Sequence, residues 1–274
     1  PPRSTRKESS AASDVYKRQM PDSARVHYAY LDAGGVAPNV VQAKATVRQL
    51  VRAADLPTLR DLVARVRNIA DGAALMTGTE VEVKVYSGVS NLVGNRPLEE
   101  MMQREFDKLG PVPFDADDSG FANEIRQTLT KDDIAASFQR VGRETPADLP
   151  LCDFVAPLDR TSNGGEGSTD VGDVSWVVPT VQARVATCAV GTPFHTWQTV
   201  AQGKAPAAHK GMIHAAKVMA ATASALIQSP DTLEAARAVH NDRQAKTPYQ
   251  CPIPKEVSPP IIAKPEKAAR AIGQ

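Results

Sequence analysis

The sequence predicts an α/β protein that opens with part of a split β-α-β unit and continues into a helix-rich second half. Hydrophobic residues alternate in three short runs, at residues 25–31, 45–52 and 80–86. A helical stripe lies between the second and third runs. The resulting order, β-β-α-β, matches the last four elements of a β-α-β-β-α-β sandwich.

The first two predicted strands are joined by a loop rich in turn-forming residues, Gly34, Gly35, Pro38 and Asn39. The first strand places three side chains on one face, Val26, Tyr28 and Tyr30, and we expect the neighbouring His27 to be partly buried. In the run 80–86, three valines face inward, Val81, Val83 and Val85.

The predicted helix between the second and third strands begins at Asp55, a favourable N-cap, with Pro57 in its first turn. Its apolar stripe consists of Leu59, Leu62, Val63, Val66, Ile69 and Ala70. A sheet that lacks its opening strand and helix leaves an edge unpaired. We therefore expect a chain truncated at its N-terminal side. A complete four-element unit covered by a second domain is an equally supported alternative.

From about residue 95 the pattern becomes mainly helical. Pro97 begins a predicted helix that ends at Gly110, and a second helix is expected within 120–129. Residues 142–173 have loop composition, 174–190 predict one or two strands interrupted at Pro179, and 209–227 predict a long helix. The expected buried stripe of that helix is Met212, Ala216, Met219, Ala223 and Leu226. Six prolines after Thr247 predict an extended tail at the surface.

Composition excludes several classes of function. The 32 basic and 31 acidic side chains leave a net charge of +1, so no electrostatic footprint for nucleic acid or an anionic membrane is present. No apolar stretch approaches the ~20 residues of a membrane span. Cys152, Cys188 and Cys251 form neither a CxxC pair nor a disulfide framework, which predicts a reducing, cytoplasmic setting. Residues 1–19 are polar and resemble translated sequencing-adapter sequence, so we expect a non-native or disordered leader.

Histidines and carboxylates are concentrated in one part of the chain. Three of the five histidines, His195, His209 and His214, follow a glycine-rich acidic loop that holds Glu166, Asp170 and Asp173. Histidine and carboxylate are natural ligands of zinc and manganese. The spacing matches no compact metal motif, because His209 and His214 are too far apart in sequence for an HExxH pair. On residues alone, a structural histidine is the more frequent outcome.

Three sequence stretches resemble the aminobenzoyl-glutamate hydrolases, which belong to the di-metal superfamily of aminoacylases and glutamate carboxypeptidases. They are GSTDVGDVSWVVPTVQARVATCAVGTPFHTWQTVAQG, AHKGMIHAAKVMAATA and RVHYAYLDAGGVAPNVV. The resemblance implies a catalytic α/β domain interrupted by a ferredoxin-like lid that also dimerises. Residues 20–93 then correspond to the second half of the lid. Residues 94–274 correspond to the C-terminal part of the di-metal exopeptidase-like catalytic domain with its proline-rich tail.

The resemblance implies that two divalent metal ions, zinc or manganese, activate water for hydrolysis of an aminobenzoyl or other N-acyl amino acid. It makes His195 a metal ligand, with a packed histidine as the alternative. It makes Asn39 a donor to the oxyanion, with a turn residue as the alternative. It makes Arg52 a clamp for the substrate carboxylate, with a solvated strand-end charge as the alternative.

Three further residues receive weaker roles. Asp170 and Asp173 would orient metal ligands, with loop capping as the alternative. His209, near a helix N-terminus, would contact the substrate, with helix-end packing as the alternative.

The family's other metal ligands and its general-base glutamate have no counterpart here. Glu99 and Glu100 suit the first turn of a helix instead. We therefore expect the chain alone to be inactive and to bind no metal pair. A non-catalytic subunit that contributes a lid and an interface is the main alternative. A serine or cysteine hydrolase is disfavoured, because the sequence has no GxSxG motif and no cysteine beside a histidine.

Overall fold

A computed structural model describes residues 20–139, 148–158 and 167–258, in two compact units. The first unit comprises residues 20–91 and 250–258 of these ranges, and the second comprises residues 92–249. Helices are combined with a two-stranded sheet, which is compatible with the predicted α/β class. Within the described ranges, no helix is both long and apolar enough to span a membrane. The elements are β1 Arg25–Asp32, β2 Thr46–Arg52, α1 Leu56–Thr77, α2 Arg96–Leu109, α3 Ala116–Arg126, α4 Lys131–Gln139, α5 Val171–Val177, α6 Trp197–Gln202, α7 Pro206–Ile227 and α8 Pro230–Lys246.

In the first unit, the antiparallel pair β1 and β2 packs against α1. The strands are in register with Val26 opposite Val51, and both side chains join a cluster centred on Leu62, which is 1% exposed. Helix α1 begins where predicted, because the Asp55 carboxylate accepts the Thr58 N–H at 2.8 Å. Its predicted stripe is buried or half-buried along its length. Both predicted strands and the predicted helix are therefore confirmed.

The predicted third strand is wrong. Residues 80–86 form no strand, and Val81 and Val83 are 43% and 48% exposed. An alternating pattern becomes a strand only when a neighbour supplies ladder hydrogen bonds, and the described residues pair no strand with this run. The expectation of a half-buried His27 is also wrong. His27 is exposed, because the covered face of β1 is the opposite one, which carries Val26.

In the second unit, α2, α7 and α8 pack against one another, and a hydrophobic cluster lies beside them. The cluster consists of Ala122, Ile125, Leu151, Ala189 and Ala207, with Phe114 and Phe121 against it. Predicted helices are confirmed as α2, α3 and α7. Helix α3 begins earlier than expected, because Asp115 and Asp118 form a reciprocal capping box.

The strands predicted for 174–190 are wrong. Helix α5 covers the first part of this run, and residues 178–190 carry no regular element. Gly172, Ser175 and Trp176 are buried at helical spacing, so the valines between them face solvent instead. Trp176 stacks on Tyr249 with ring centroids 6.4 Å apart. Tertiary packing of this face therefore replaces the strand pattern.

The buried face predicted for α7 is also wrong. Met212 and Met219 are 61% and 60% exposed, and the buried positions are Ala207, Gly211, His214, Val218 and Thr222. A Cβ on Gly211 would lie 2.2 Å from the Ala186 carbonyl oxygen, so the helix approaches its neighbour through its smallest residue. Thr222 tolerates burial because its hydroxyl donates to the Val218 carbonyl at 2.7 Å.

Two predicted segments are only partly described. Most of the predicted loop 142–173 lies outside the described residues, as does the leader 1–19. In the proline-rich tail, residues 248–258 contain neither helix nor strand, and residues 259–274 lie outside the described part.

Candidate functional site

His195 lies on a tight turn between Ala189 and α6, and its backbone has an unusual conformation. Its φ is 65°, the one positive value among the described residues other than glycine. The left-handed region costs an L-residue about 1–2 kcal/mol. The side chain is exposed, as are Phe194 and Trp197 on either side. His195 is therefore presented to solvent by a strained turn and is not packed between these two aromatic side chains.

The turn before His195 is fixed by the buried carboxamide of Gln202, which is 3% exposed. Its Oε1 accepts the Ala189 backbone N–H at 2.7 Å, and its Nε2 donates to the Thr192 hydroxyl at 3.0 Å. The Thr192 hydroxyl in turn donates to the Ala189 carbonyl at 2.7 Å. These bonds close a small buried network at the base of the turn.

Hydroxyl groups secure the other side of the turn. The Pro193 carbonyl accepts from the hydroxyls of Thr196 and Thr199 at 2.8 and 2.7 Å. Gly191 has a φ of 95° and donates its N–H to Ser137 at 3.1 Å. Strained conformations persist where the surroundings over-determine them, and such positions concentrate at functional sites. Sequence reasoning found His195 but missed this support, which depends on contacts distant in sequence.

Asp170 and Asp173 lie at the start of α5. The Asp173 carboxylate accepts the Tyr249 hydroxyl at 2.8 Å and is partly buried. Asp170 is exposed, and its side chain makes no capping hydrogen bond to α5, so the capping alternative fails for this residue. Glu166, the third acid of the predicted cluster, lies outside the described residues.

The N-terminal half of α7 carries two histidines in different settings. His209 is exposed in the first turn, as a substrate contact requires. His214 is 6% exposed and packs against Phe106, with ring centroids 6.5 Å apart. The second histidine therefore belongs to the packing of α7.

Lys210, next to His209, forms an ion cluster that sequence reasoning missed. Its ammonium lies 2.5 Å from a carboxylate oxygen of both Asp115 and Asp118, and the Asp118 side chain is 1% exposed. The hydrogen bond from Lys210 lowers the pKa of Asp115 to about 2. The hydrogen bonds to both carboxylates, that of Asp115 first, raise the pKa of Lys210. The D-x-x-D spacing at the start of α3 is the signal that pointed to half of this cluster.

Asn39 and Arg52 belong to the other compact unit. Asn39 is exposed in a turn directly after Pro38. Arg52 is partly buried at the end of β2, directly opposite Arg25 on β1. The Arg25 guanidinium donates to the carbonyls of Asp22 and Ala24. Like charges that face each other across two strands are unfavourable unless an anion joins them.

The described residues do not by themselves assemble a metal centre. Across residues 20–139, 148–158 and 167–258, no three His, Cys, Asp or Glu side chains are grouped so that they could share an ion. His195, Asp170 and Asp173 are therefore not brought together as a complete ligand set. What the chain offers is one histidine held on a strained turn.

Comparisons with known proteins identify the family to which this chain belongs. No family model matches the chain. It is 41% identical over 252 residues to one of the subunits of the p-aminobenzoyl-glutamate hydrolase of Escherichia coli (strain K12), a match that covers 87% of this chain and 52% of that protein. The chain belongs to the aminobenzoyl-glutamate hydrolase-like amidohydrolases. This membership confirms the resemblance noted in the sequence.

More distant relatives of this amidohydrolase chain are Xaa-Arg dipeptidases. The human protein is 25% identical over 81% of the chain, and the mouse protein is 26% identical over 81%. The chain covers 41% and 42% of their respective lengths. It therefore spans about half the length of the curated relatives that it matches, or less.

Proposed function

We propose that this chain is the C-terminal part of a metal-dependent amidohydrolase that cleaves the amide of an aminobenzoyl or other N-acyl amino acid of the glutamate type. One observation carries the proposal: His195 is held at a φ of 65° and exposed on a turn fixed by buried hydrogen bonds. A histidine that only packs needs neither the strain nor the exposure. The similarity to a subunit of an aminobenzoyl-glutamate hydrolase supplies the substrate class.

In this proposal the first unit is the second half of a ferredoxin-like lid and dimerisation domain, which was expected at residues 20–93. The second unit is the closing part of a di-metal exopeptidase-like catalytic domain, which was expected at residues 94–274. The exposed valines of the run 80–86 and the exposed methionines of α7 support this assignment. Such side chains are typical of surfaces that another part of a larger protein covers.

His195 would be one ligand of a site for two divalent ions, zinc or manganese, in the complete enzyme. When bound, such ions supply an activated water and polarise the scissile carbonyl. The part of this chain is to hold one imidazole in a fixed orientation. Asp173, kept in place by Tyr249, would orient a neighbouring ligand, and the exposed Asp170 would do so less directly. A single ligand cannot retain the ions, so the chain alone would be inactive.

Substrate recognition would draw on both units. Arg52 would bind the substrate carboxylate through two parallel hydrogen bonds, and Arg25 on the facing strand adds positive charge beside it. The exposed amide of Asn39 would donate to the oxyanion, and the exposed His209 would contact the substrate. The expected partners are a second copy of the enzyme or a related hydrolase subunit, in the cytoplasm.

The test compares this 274-residue chain with the longest protein whose reading frame contains it. Metal content and hydrolysis of aminobenzoyl-glutamate are measured with added zinc or manganese. We expect the longer protein to bind about two ions and to turn over, and His195→Ala to remove both properties. His27→Ala, which changes an exposed histidine on β1, is the matched control and should retain them. A longer protein that folds but binds no metal would contradict the proposal.

A non-catalytic subunit is the second candidate, and two observations favour it. The relative with 41% identity is itself named as one subunit of a hydrolase, and the described residues gather no group of three metal ligands. The two candidates differ in one result. A non-catalytic subunit would leave the longer protein inactive alone, and activity would appear only with a related subunit, whether or not His195 is replaced.

A further inference from the structure

Two cysteines lie on neighbouring segments in the second unit. The Val190 N–H donates to the Pro150 carbonyl at 2.9 Å, which joins the segment before Cys152 to the segment after Cys188. Leu151 and Ala189 belong to one buried cluster and are 3% and 2% exposed. The residue after Pro150 and the residue before Val190 thus share a cluster, as expected when two segments run in opposite directions.

The alternation of burial supports the same register. Leu151 and Ala189 are buried, whereas the residues on either side of each are half-buried. Side chains alternate between faces along an extended segment, so Cys152 and Cys188 leave the cluster on its outer side together. One step beyond the buried pair places them opposite each other. Directly opposite residues lie about 5.5 Å apart between Cα atoms, which is within the range of a disulfide.

We propose that Cys152 and Cys188 form a reversible disulfide with a low-molecular-weight disulfide as the oxidant. All three cysteines of the described residues are thiols in this structure. The Cys152 thiolate attacks the small disulfide, forms a mixed disulfide and releases one small thiol. The Cys188 thiolate then attacks the Cys152 Sγ and releases the second small thiol, so two cysteine thiols are oxidised and one small disulfide is reduced. The two protons lost by the cysteines end on the two small thiols.

The order of attack follows from the surroundings of the two thiols. Burial raises the pKa of Cys188, so its thiolate is scarce and it is suited to the second, intramolecular step. The bond would tie the segment around Leu151 to the base of the turn that carries His195. This inference does not depend on the proposed hydrolase activity, because it concerns the chain as it stands.

Each cysteine falls in its own tryptic peptide, which makes the test direct. The peptides are residues 144–160 for Cys152, 185–204 for Cys188 and 247–255 for Cys251. The folded chain is incubated with oxidised glutathione, the remaining thiols are alkylated at low pH, and the digest is analysed by mass spectrometry without reduction. We expect one dominant linked species that joins 144–160 to 185–204 and disappears on reduction. A chain unfolded in guanidinium should instead link all three peptides without preference.

Variants complete the design. Cys251→Ser should leave the linked species unchanged, because Cys251 is exposed in the other unit. Cys152→Ser and Cys188→Ser should each remove it. The proposal is overturned if the folded wild-type chain gives Cys152 and Cys188 carrying separate glutathione groups, two alkylated thiols, or links to Cys251 in comparable amounts. The wild-type result decides the question even if a serine variant does not fold.

Discussion

The carboxamide of Gln202 accepts the backbone N–H of Ala189 at 2.7 Å, thirteen residues back along the chain. The same side chain donates to Thr192, so one buried group fixes both ends of the turn that precedes His195. Position 195 is therefore determined by a residue on the following helix, α6, and the local sequence of the turn does not act alone.

Replacing Gln202 with leucine should destabilise the second unit by about 1–3 kcal/mol, because the Ala189 N–H would be left buried without a partner. Equilibrium unfolding in urea measures the change. Gln198→Leu is the matched control on the same helix, since its amide makes only a 3.4 Å contact with Thr128 and is partly exposed. Equal losses for the two variants would contradict the assigned role.

Glycine at position 195 should give a more stable chain than alanine by about 1 kcal/mol. A φ of 65° is strained for alanine and relaxed for glycine. The same unfolding experiment on His195→Gly and His195→Ala checks the sign. In the complete enzyme both variants should be equally inactive, because both lack the imidazole. An alanine variant as stable as the glycine variant would mean that the turn relaxes when histidine is removed.

Gly211→Ala should destabilise the chain by about 1–3 kcal/mol, the usual range for overpacking. The added Cβ would meet the Ala186 carbonyl oxygen at 2.2 Å, and this oxygen belongs to the backbone. Gly120→Ala on α3 is the control, because its Cβ would meet nothing within 4 Å. That substitution should stabilise by about 0.5–1 kcal/mol. The opposite signs of the two changes separate close approach from helix propensity.

The accuracy of the sequence predictions follows from the range of the interactions involved. Local signals identified α1 and α2, because the Asp55 cap, the prolines in the first turns and the closing glycines act within a few residues. The strands predicted at 80–86 and 174–190 failed because strand formation depends on a neighbour, which no local pattern reveals. The buried face of α7 was mispredicted because apolar character was ranked above the small size that lets Gly211 approach Ala186.

Two helices were missed although their signals are present in the sequence. Thr130 and Asp133 exchange hydrogen bonds at the start of α4, and Ser229 and Pro230 precede the acidic first turn of α8. For the candidate site, His195 was identified from the sequence motif around it alone. Its supports, Gln202 and Ser137, were not, since a hydrogen bond across 54 residues such as Ser137 to Gly191 leaves no local pattern.

The Lys210 cluster should give the chain a specific acid sensitivity. The pKa of Asp115 is lowered from 3.8 to about 2 in the folded chain, chiefly by its hydrogen bond with Lys210. A lowered folded-state pKa stabilises above the unfolded value and is lost as pH falls through the folded value. Stability from Asp115 is therefore complete above pH 3.8 and disappears towards pH 2. Urea midpoints measured across this interval record the loss.

Lys210→Met should flatten that acid limb, because the pKa of Asp115 then returns towards its ordinary value. It should also lower stability near neutral pH, where the nearly buried Asp118 carboxylate loses its cationic partner. Lys246→Met is the control. It removes an exposed pair in which Lys246 and Asp242 are 72% and 64% exposed, and such pairs contribute little. Its acid limb should follow the wild type, whereas parallel limbs for wild type and Lys210→Met would show that Lys210 does not hold the Asp115 pKa down.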